Sequence, residues 1–329
     1  MNVPDHIRGS IAPTFTAFNE DGSLDDPGQR NFLDFLEGQG GINAYFIRAG
    51  MGQMYAFNVD DVKQLAANVC GHLAGRKPVL VGCNGHWNRD YTKRPDEALF
   101  IRQGIELGKY VQDLGASGVV HTIPEALDFN GRSKEELFLH YFGAIAEAVD
   151  LPVYIYQPPA SNSAYHLDGP LLAKLAEIDN VCGAKVSSPD GELIFNLTYA
   201  TRDHDFSYIV GCETAFYAGL YAGAAAAIGQ GTILNPHILN AVQERFDAGD
   251  RAGALEAQAS VNALCQGCGN PVDFLKRYST EKGFPIKPCF RTMNPNPYGT
   301  DPQPLSDDAY TRFKALYEGE LEKYAPATV

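Results

Sequence analysis

The run VCGAKVSS, residues 181–188, places a single lysine, Lys185, at the end of a short apolar stretch. Val181, Cys182, Gly183 and Ala184 read as a brief buried strand, and Ser187, Ser188, Pro189 and Asp190 read as the loop that ends it. A lysine at that point stands at the mouth of a core, and two readings are open for it. A strand-end lysine can run its methylene stem along apolar surface and keep its ammonium in water. An amine in an apolar, partly desolvated setting instead has a lowered pKa, is neutral part of the time, and can attack a ketone to form a Schiff base. The rest of the chain bears on the choice.

Outward from this run, short β-rich stretches alternate with longer helical patterns, which is the signature of a parallel α/β fold. Eight strands are expected, at 10–18, 42–50, 78–83, 118–124, 152–158, 182–187, 206–213 and 223–231. Helical spacing of apolar residues falls at 26–39, 60–73, 95–115, 133–149 and 169–178, with several segments opening on Asp, Ser or Gly. Eight such units predict one closed (β/α)8 TIM barrel over residues 1–235, with residues 236–329 forming a helical extension packed on it. Helices are expected there at 235–246, 250–268 and 310–324. The proline-rich stretch FRTMNPNPYGTDPQPLSDD, residues 290–308, reads as an extended surface segment before the last helix. Active sites of such barrels sit on loops after the C-terminal ends of the strands, and Lys185 lies at the end of the sixth.

Composition narrows the partners. The 329 residues carry a formal charge of −14, and no Lys/Arg run tracks phosphates, so no nucleic-acid partner is expected. No run of about 18 apolar residues could span a bilayer, and the opening MNVPDHIRGS lacks a charged-then-apolar leader pattern, so no membrane partner and a cytoplasmic location are expected. Seven scattered cysteines fit reduced thiols, and the lone close pair, Cys265 and Cys268, reads as buried helix cysteine rather than a metal site. Neither a metal nor another cofactor is expected. The partner is a small molecule.

Four motifs in a fixed order carry a resemblance: APTFTAFNEDGSLD near the start, PVYIYQPPA at the fifth strand, GAKVSS at the sixth, and VGCETAFYAGLYAGAAAAIGQGTILNP over the seventh and eighth. Together they resemble the dihydrodipicolinate synthase and N-acetylneuraminate lyase superfamily of class I aldolases, and the likeness spans nearly the whole chain. It implies a Schiff-base role for Lys185, a proton-transfer role for Tyr156, pyruvate or a related keto acid or sugar acid as substrate, and a homotetramer. The residues agree on Tyr156. It is the last aromatic of a β-branched and aromatic run that two prolines must end, so its phenol faces the barrel mouth and can move protons beside the lysine; a buried core tyrosine is the alternative.

Departures from the family's pattern bear on substrate. Where the strand-two loop usually reads G-T-T-G-E, this chain has Ala49, Gly50, Met51, Gly52 and Gln53, so the usual hydroxyls are missing while backbone amides of Gly50, Met51 and Gly52 remain to cradle a carboxylate. A Tyr-Tyr pair after strand four is replaced by Thr122, Ile123, Pro124 and Glu125, and the position of a carboxylate-binding arginine after strand five is Ser161. A dicarboxylic product is therefore not expected. Glu213, after strand seven, either binds hydroxyls of a sugar acid or caps the next helix; Arg48 either pairs with a neighbouring strand or binds an anion; His121 and Gln157 carry core readings beside functional ones. The insert HWNRDYTKRPDEAL, residues 86–99, is either a lid or a subunit interface. The leading expectation is a Schiff-base lyase, an aldolase or dehydratase acting on a 2-keto acid. The alternative is a barrel without turnover that binds a small carbonyl metabolite.

Overall fold

Each apolar run pairs with the next in sequence, parallel and in order. The computed structural model describes residues 2–299 and 301–324. Strands β1 (Gly9–Pro13), β2 (Ala44–Ile47), β3 (Val79–Gly82), β4 (Gly118–Thr122), β5 (Val153–Gln157), β6 (Val181–Val186), β7 (Ser207–Val210) and β8 (Ala226–Ala227) form a closed barrel. The ring shuts where Gly9 and Ser10 pair with Ala226 and Ala227. This is the (β/α)8 barrel expected. Seven of the strands are shorter than expected, β1 and β8 for evident local reasons. β1 stops at Pro13, after which the chain turns into the loop that carries Phe15 and Phe18 into the core. β8 is confined to two residues because Gly223, at φ 102°, closes the helix before it and Gly231 already opens a helical turn after it.

Between the strands run α1 (Asp26–Gln39), α2 (Val59–Leu73), α3 (Glu97–Asp113), α4 (Lys134–Ala148), α5 (Gly169–Ala176), α6 (Gly191–Ala200) and α7 (Phe216–Ala222). Their starts are written in the sequence. Asn58 with Asp61 and Ser133 with Glu136 form reciprocal capping boxes, each satisfying amide donors that the first helical turn leaves free. α6 and α7 fall in stretches where helical spacing is not evident, since the strand and turn signals of β6 to β8 flank them closely.

After β8 come α8 (Gly231–Leu234), α9 (Pro236–Asp247), α10 (Arg251–Gly267), α11 (Pro271–Glu281) and α12 (Asp307–Tyr324). The Asn-Pro pairs at 235 and 270 each start a helix, with the asparagine side chain accepting an amide two or three residues into it. The boundary expected at 235 falls between α8 and α9. α9 packs on β1 and α7, α10 and α12 pack on α9, and α11 packs on α1. α11 and α12 are joined by edge-to-face rings, with Phe274 4.6 Å from Phe313 and 5.0 Å from Tyr317. Among the described residues no helix is long and apolar enough to cross a membrane.

Candidate active site

The site begins with register. Tyr156 on β5 pairs with Lys185 on β6, so both side chains leave adjacent strands at the same level of the barrel. The glycine two residues before the lysine makes this pairing possible: a Cβ at Gly183 would lie 2.6 Å from the Ser207 carbonyl and 3.2 Å from the Tyr154 ring. Lys185 Nζ sits 4.0 Å from the centroid of the Tyr156 ring and 5.8 Å from that of Phe46, and no carboxylate pairs with it among the described residues. Its side chain is 6% exposed, with the amine reaching a cavity of about 750 Å³ at the C-terminal face. That volume suits a metabolite-sized ligand.

The β2 loop forms one wall. Gly50 to Gly52 make a 3-10 turn in which Gly52 N donates to Ala49 O (2.9 Å) and Gln53 N to Gly50 O (3.2 Å), while the Gly50 and Met51 amides have no acceptor among the described residues. Gly50 and Met51 line the cavity; Gly50 faces the Tyr156 hydroxyl, which an added Cβ would approach to 3.2 Å. Gly52 does not line it. Its carbonyl accepts from Thr16 Oγ1 at 2.9 Å, and an added Cβ would lie 2.8 Å from that same oxygen, so Gly52 seats the loop on β1.

Two further expectations are corrected. Ser161 does not face the cavity: Ala160, at φ 54°, turns the chain so that the Ser161 hydroxyl donates to Pro158 O at 2.9 Å and lies 3.1 Å from His166 Nε2. Glu213 lines the wall and does not cap its own helix. It accepts from Gly231 N (2.7 Å) and Cys265 Sγ (3.2 Å), and its Oε2 occupies the space a side chain at Gly229 would need. Burial and this carboxylate push the Cys265 thiol up. Arg48 lies outside the cavity, donating through Nη1 to Gly82 O and Asn84 O and through Nε to Met54 O, with burial pulling its guanidinium down to about 10. His121 bonds Tyr141 Oη at 2.9 Å, and Gln157 Oε1 accepts from Leu167 N, so both serve the core.

Residues given no site role from the sequence complete the mouth. The insert after β3 folds over it and delivers Arg89 to the cavity, where Nη2 donates to Ala160 O and Nε lies 3.5 Å from Glu125. Glu125, 1% exposed, is the hub of this corner: it accepts from Tyr91 Oη (2.7 Å), Asn162 N (3.0 Å) and Tyr55 Oη (3.4 Å). Trp87 packs edge-on against Tyr55 and Tyr91 beneath it. The remaining wall comes from the far end of the chain. Val272 of α11 and Pro297 and Tyr298 of the proline-rich segment line the same cavity as Lys185.

With this geometry in place, comparison with known proteins is decisive for ancestry. Residues 6–291 match the model of the dihydrodipicolinate synthetase family. The chain belongs to that family. Among relatives, a 4-hydroxy-tetrahydrodipicolinate synthase from Dechloromonas aromatica is 29% identical over 258 residues, covering 78% of this chain and 82% of its own. An uncharacterized DapA-like lyase from Pyrococcus horikoshii is 26% identical, covering 87% and 93%. Solved structures share the fold: YagE from E. coli K12, in complex with pyruvate, superposes with a TM-score of 0.76 at 23% identity, covering 97% of this chain and 99% of its own. N-acetylneuraminate lyase from Mycoplasma synoviae gives 0.74 at 22%, covering 98% and 99%. Membership supports a Schiff-base lyase as the general class of activity.

Proposed function

We propose that this chain is a Schiff-base lyase acting on a 2-keto acid or sugar acid, with Lys185 as the amine and Tyr156 as the proton-transfer group. The observation that carries the reading is the lysine amine 4.0 Å above the Tyr156 ring, on paired strands, at the floor of the cavity and free of any carboxylate partner among the described residues. The neutral amine adds to the C2 carbonyl, and the carbinolamine hydroxyl leaves as water with the proton of Tyr156, which gives an iminium and a phenolate able to take a proton later. In aldol cleavage the C3–C4 bond breaks, its electron pair enters the iminium as an enamine, and the C4 hydroxyl proton passes to Tyr156 as an aldehyde leaves. Protonation at C3 and hydrolysis return the lysine and release the shortened keto acid.

The unengaged Gly50 and Met51 amides support a seat for the substrate carboxylate. A second carboxylate has poor prospects. Ser161 faces away, Arg48 is spent on carbonyls, and the charge of Arg89 is matched by buried Glu125. The reading therefore excludes efficient condensation of pyruvate with aspartate semialdehyde. Assembly into a homo-oligomer, a tetramer by family likeness, belongs to the same proposal: Phe195 and Tyr199 on α6 and Tyr221 on α7 are each more than half exposed.

Incubation with pyruvate and borohydride followed by mass measurement tests the reading. The wild type gains one reduced pyruvate adduct, and Lys185→Ala gains none while keeping its thermal transition. An adduct that persists in Lys185→Ala sinks the assignment; no adduct with any of a panel of keto acids favours a barrel that only binds.

A further inference from the structure

The segment between α11 and α12 is not a plain surface connection. It is tied to α11 at both ends and to the barrel loops between them. Lys276 Nζ donates to Cys289 O at its start, and at its end Asn270 Nδ2 donates to Gln303 O (2.8 Å) and Leu305 N donates to Asp273 Oδ2 (2.9 Å). Between them Arg291 is clamped by the Asp61 carboxylate (2.6 and 3.1 Å) and by the carbonyls of Gly22 and Ala56, with its guanidinium over Phe18. The most specific contact falls on the β2 loop. Gln53, held at φ 57°, uses its amide as a donor to Arg291 O (2.8 Å) and an acceptor from Arg291 N (3.0 Å). A glutamine can match both the N–H and the C=O of one residue in this way. The glutamate usual at that position could match only the N–H.

These anchors place Tyr298 on the cavity. Its ring lies 5.8 Å from that of Tyr55, and its hydroxyl oxygen accepts from Tyr55 N at 3.3 Å. An oxygen engaged as an acceptor by a backbone N–H keeps its own hydrogen to donate elsewhere. The neighbouring wall is Met51, Met54, Tyr55, Val272 and Pro297, apolar and aromatic, and it offers no cation beyond Arg89, already matched by Glu125.

We propose that Pro297 and Tyr298 form a wall of the active site and that Tyr298 is a specificity-determining residue, packing an aromatic or hydroxylated group at C4 and beyond of a 2-keto acid and donating a hydrogen bond to it. This rests on the Schiff-base reading above and adds the part of the substrate that pyruvate lacks. The reaction is the cleavage already described: with 4-hydroxy-2-oxo-4-phenylbutanoate the C3–C4 bond breaks to give benzaldehyde and pyruvate, with no oxidant or co-reactant.

The test measures two quantities on the full chain: the rate of pyruvate trapping by borohydride, and kcat/KM for cleavage of 4-hydroxy-2-oxo-4-phenylbutanoate. Their ratio is compared in the wild type, Tyr298→Ala and Gln53→Glu. We expect the ratio to fall at least tenfold in Tyr298→Ala, chiefly through KM, and severalfold in Gln53→Glu, which leaves Tyr298 present but loosens the segment that carries it. Tyr298→Phe should fall between the wild type and Tyr298→Ala. A ratio unchanged in Tyr298→Ala and Gln53→Glu overturns this proposal and leaves the Schiff-base reading standing. Failure of the wild type to trap pyruvate overturns the Schiff-base reading, and this proposal with it.

Discussion

At the scale of single residues, the lysine and the tyrosine are read together or not at all. A lysine ending VCGA and a tyrosine ahead of two prolines each admit a packing explanation alone, and the strand register puts them side by side. Tyr156→Phe removes the proton carrier and keeps the ring under the amine. Pyruvate trapping should survive and turnover should fall by roughly 10²-fold or more, the scale of lost acid–base catalysis; a parental rate would make Tyr156 a core residue. His121 offers a check on the core itself. Burial pulls its imidazole from 6.5 down to about 3, so between those values the unfolded chain holds a proton that the folded chain does not. Its contribution is therefore fully present above pH 6.5 and is lost as pH falls toward 3. Between pH 7 and pH 5, urea unfolding should show the wild type losing about 2 kcal/mol more than His121→Gln. Equal losses would mean that the imidazole is charged in the folded state.

At the scale of elements, strands and most helices could be read because their periods and caps are local, while α6, α7 and the details of the mouth could not. Glu125 shows why. In sequence it is one carboxylate after a proline; in the fold it gathers Tyr55, Tyr91, Arg89 and the Asn162 amide from three loops, a convergence that no spacing announces. Ser161 and Glu213 sat at informative positions, yet a residue's place beside a strand end does not fix where its side chain turns. For Ser161 the left-handed backbone of Ala160 decided it, and for Glu213 the absence of a side chain at Gly229 did. Glu125→Gln breaks the buried pair with Arg89 from one side. It should cost roughly 3 kcal/mol of stability and raise acrylamide quenching of Trp87, the single tryptophan, which packs on Tyr55 and Tyr91. Quenching that does not change would show that the insert holds its place without the carboxylate.

At the scale of the whole molecule, exposed aromatic rings gather on the neighbouring helices α6 and α7. Phe195 and Tyr199 stack 5.8 Å apart on α6, and Tyr221 stands edge-on to Phe246 beside them in sequence order of the ring. Sedimentation of the wild type should give a multiple of 35.8 kDa, and Phe195→Glu with Tyr199→Glu should lower it. An unchanged mass would place the contact elsewhere. The clamp between Arg291 and Asp61 carries a different consequence, one of timing. During synthesis the strands up to Ala227 emerge and can close around Lys185 well before Tyr298 leaves the ribosome. On the reading proposed above, a nascent barrel has its amine before its selectivity, and a variant whose C-terminal segment is displaced from Gln53 and Asp61 should still capture small ketones but no longer choose among them.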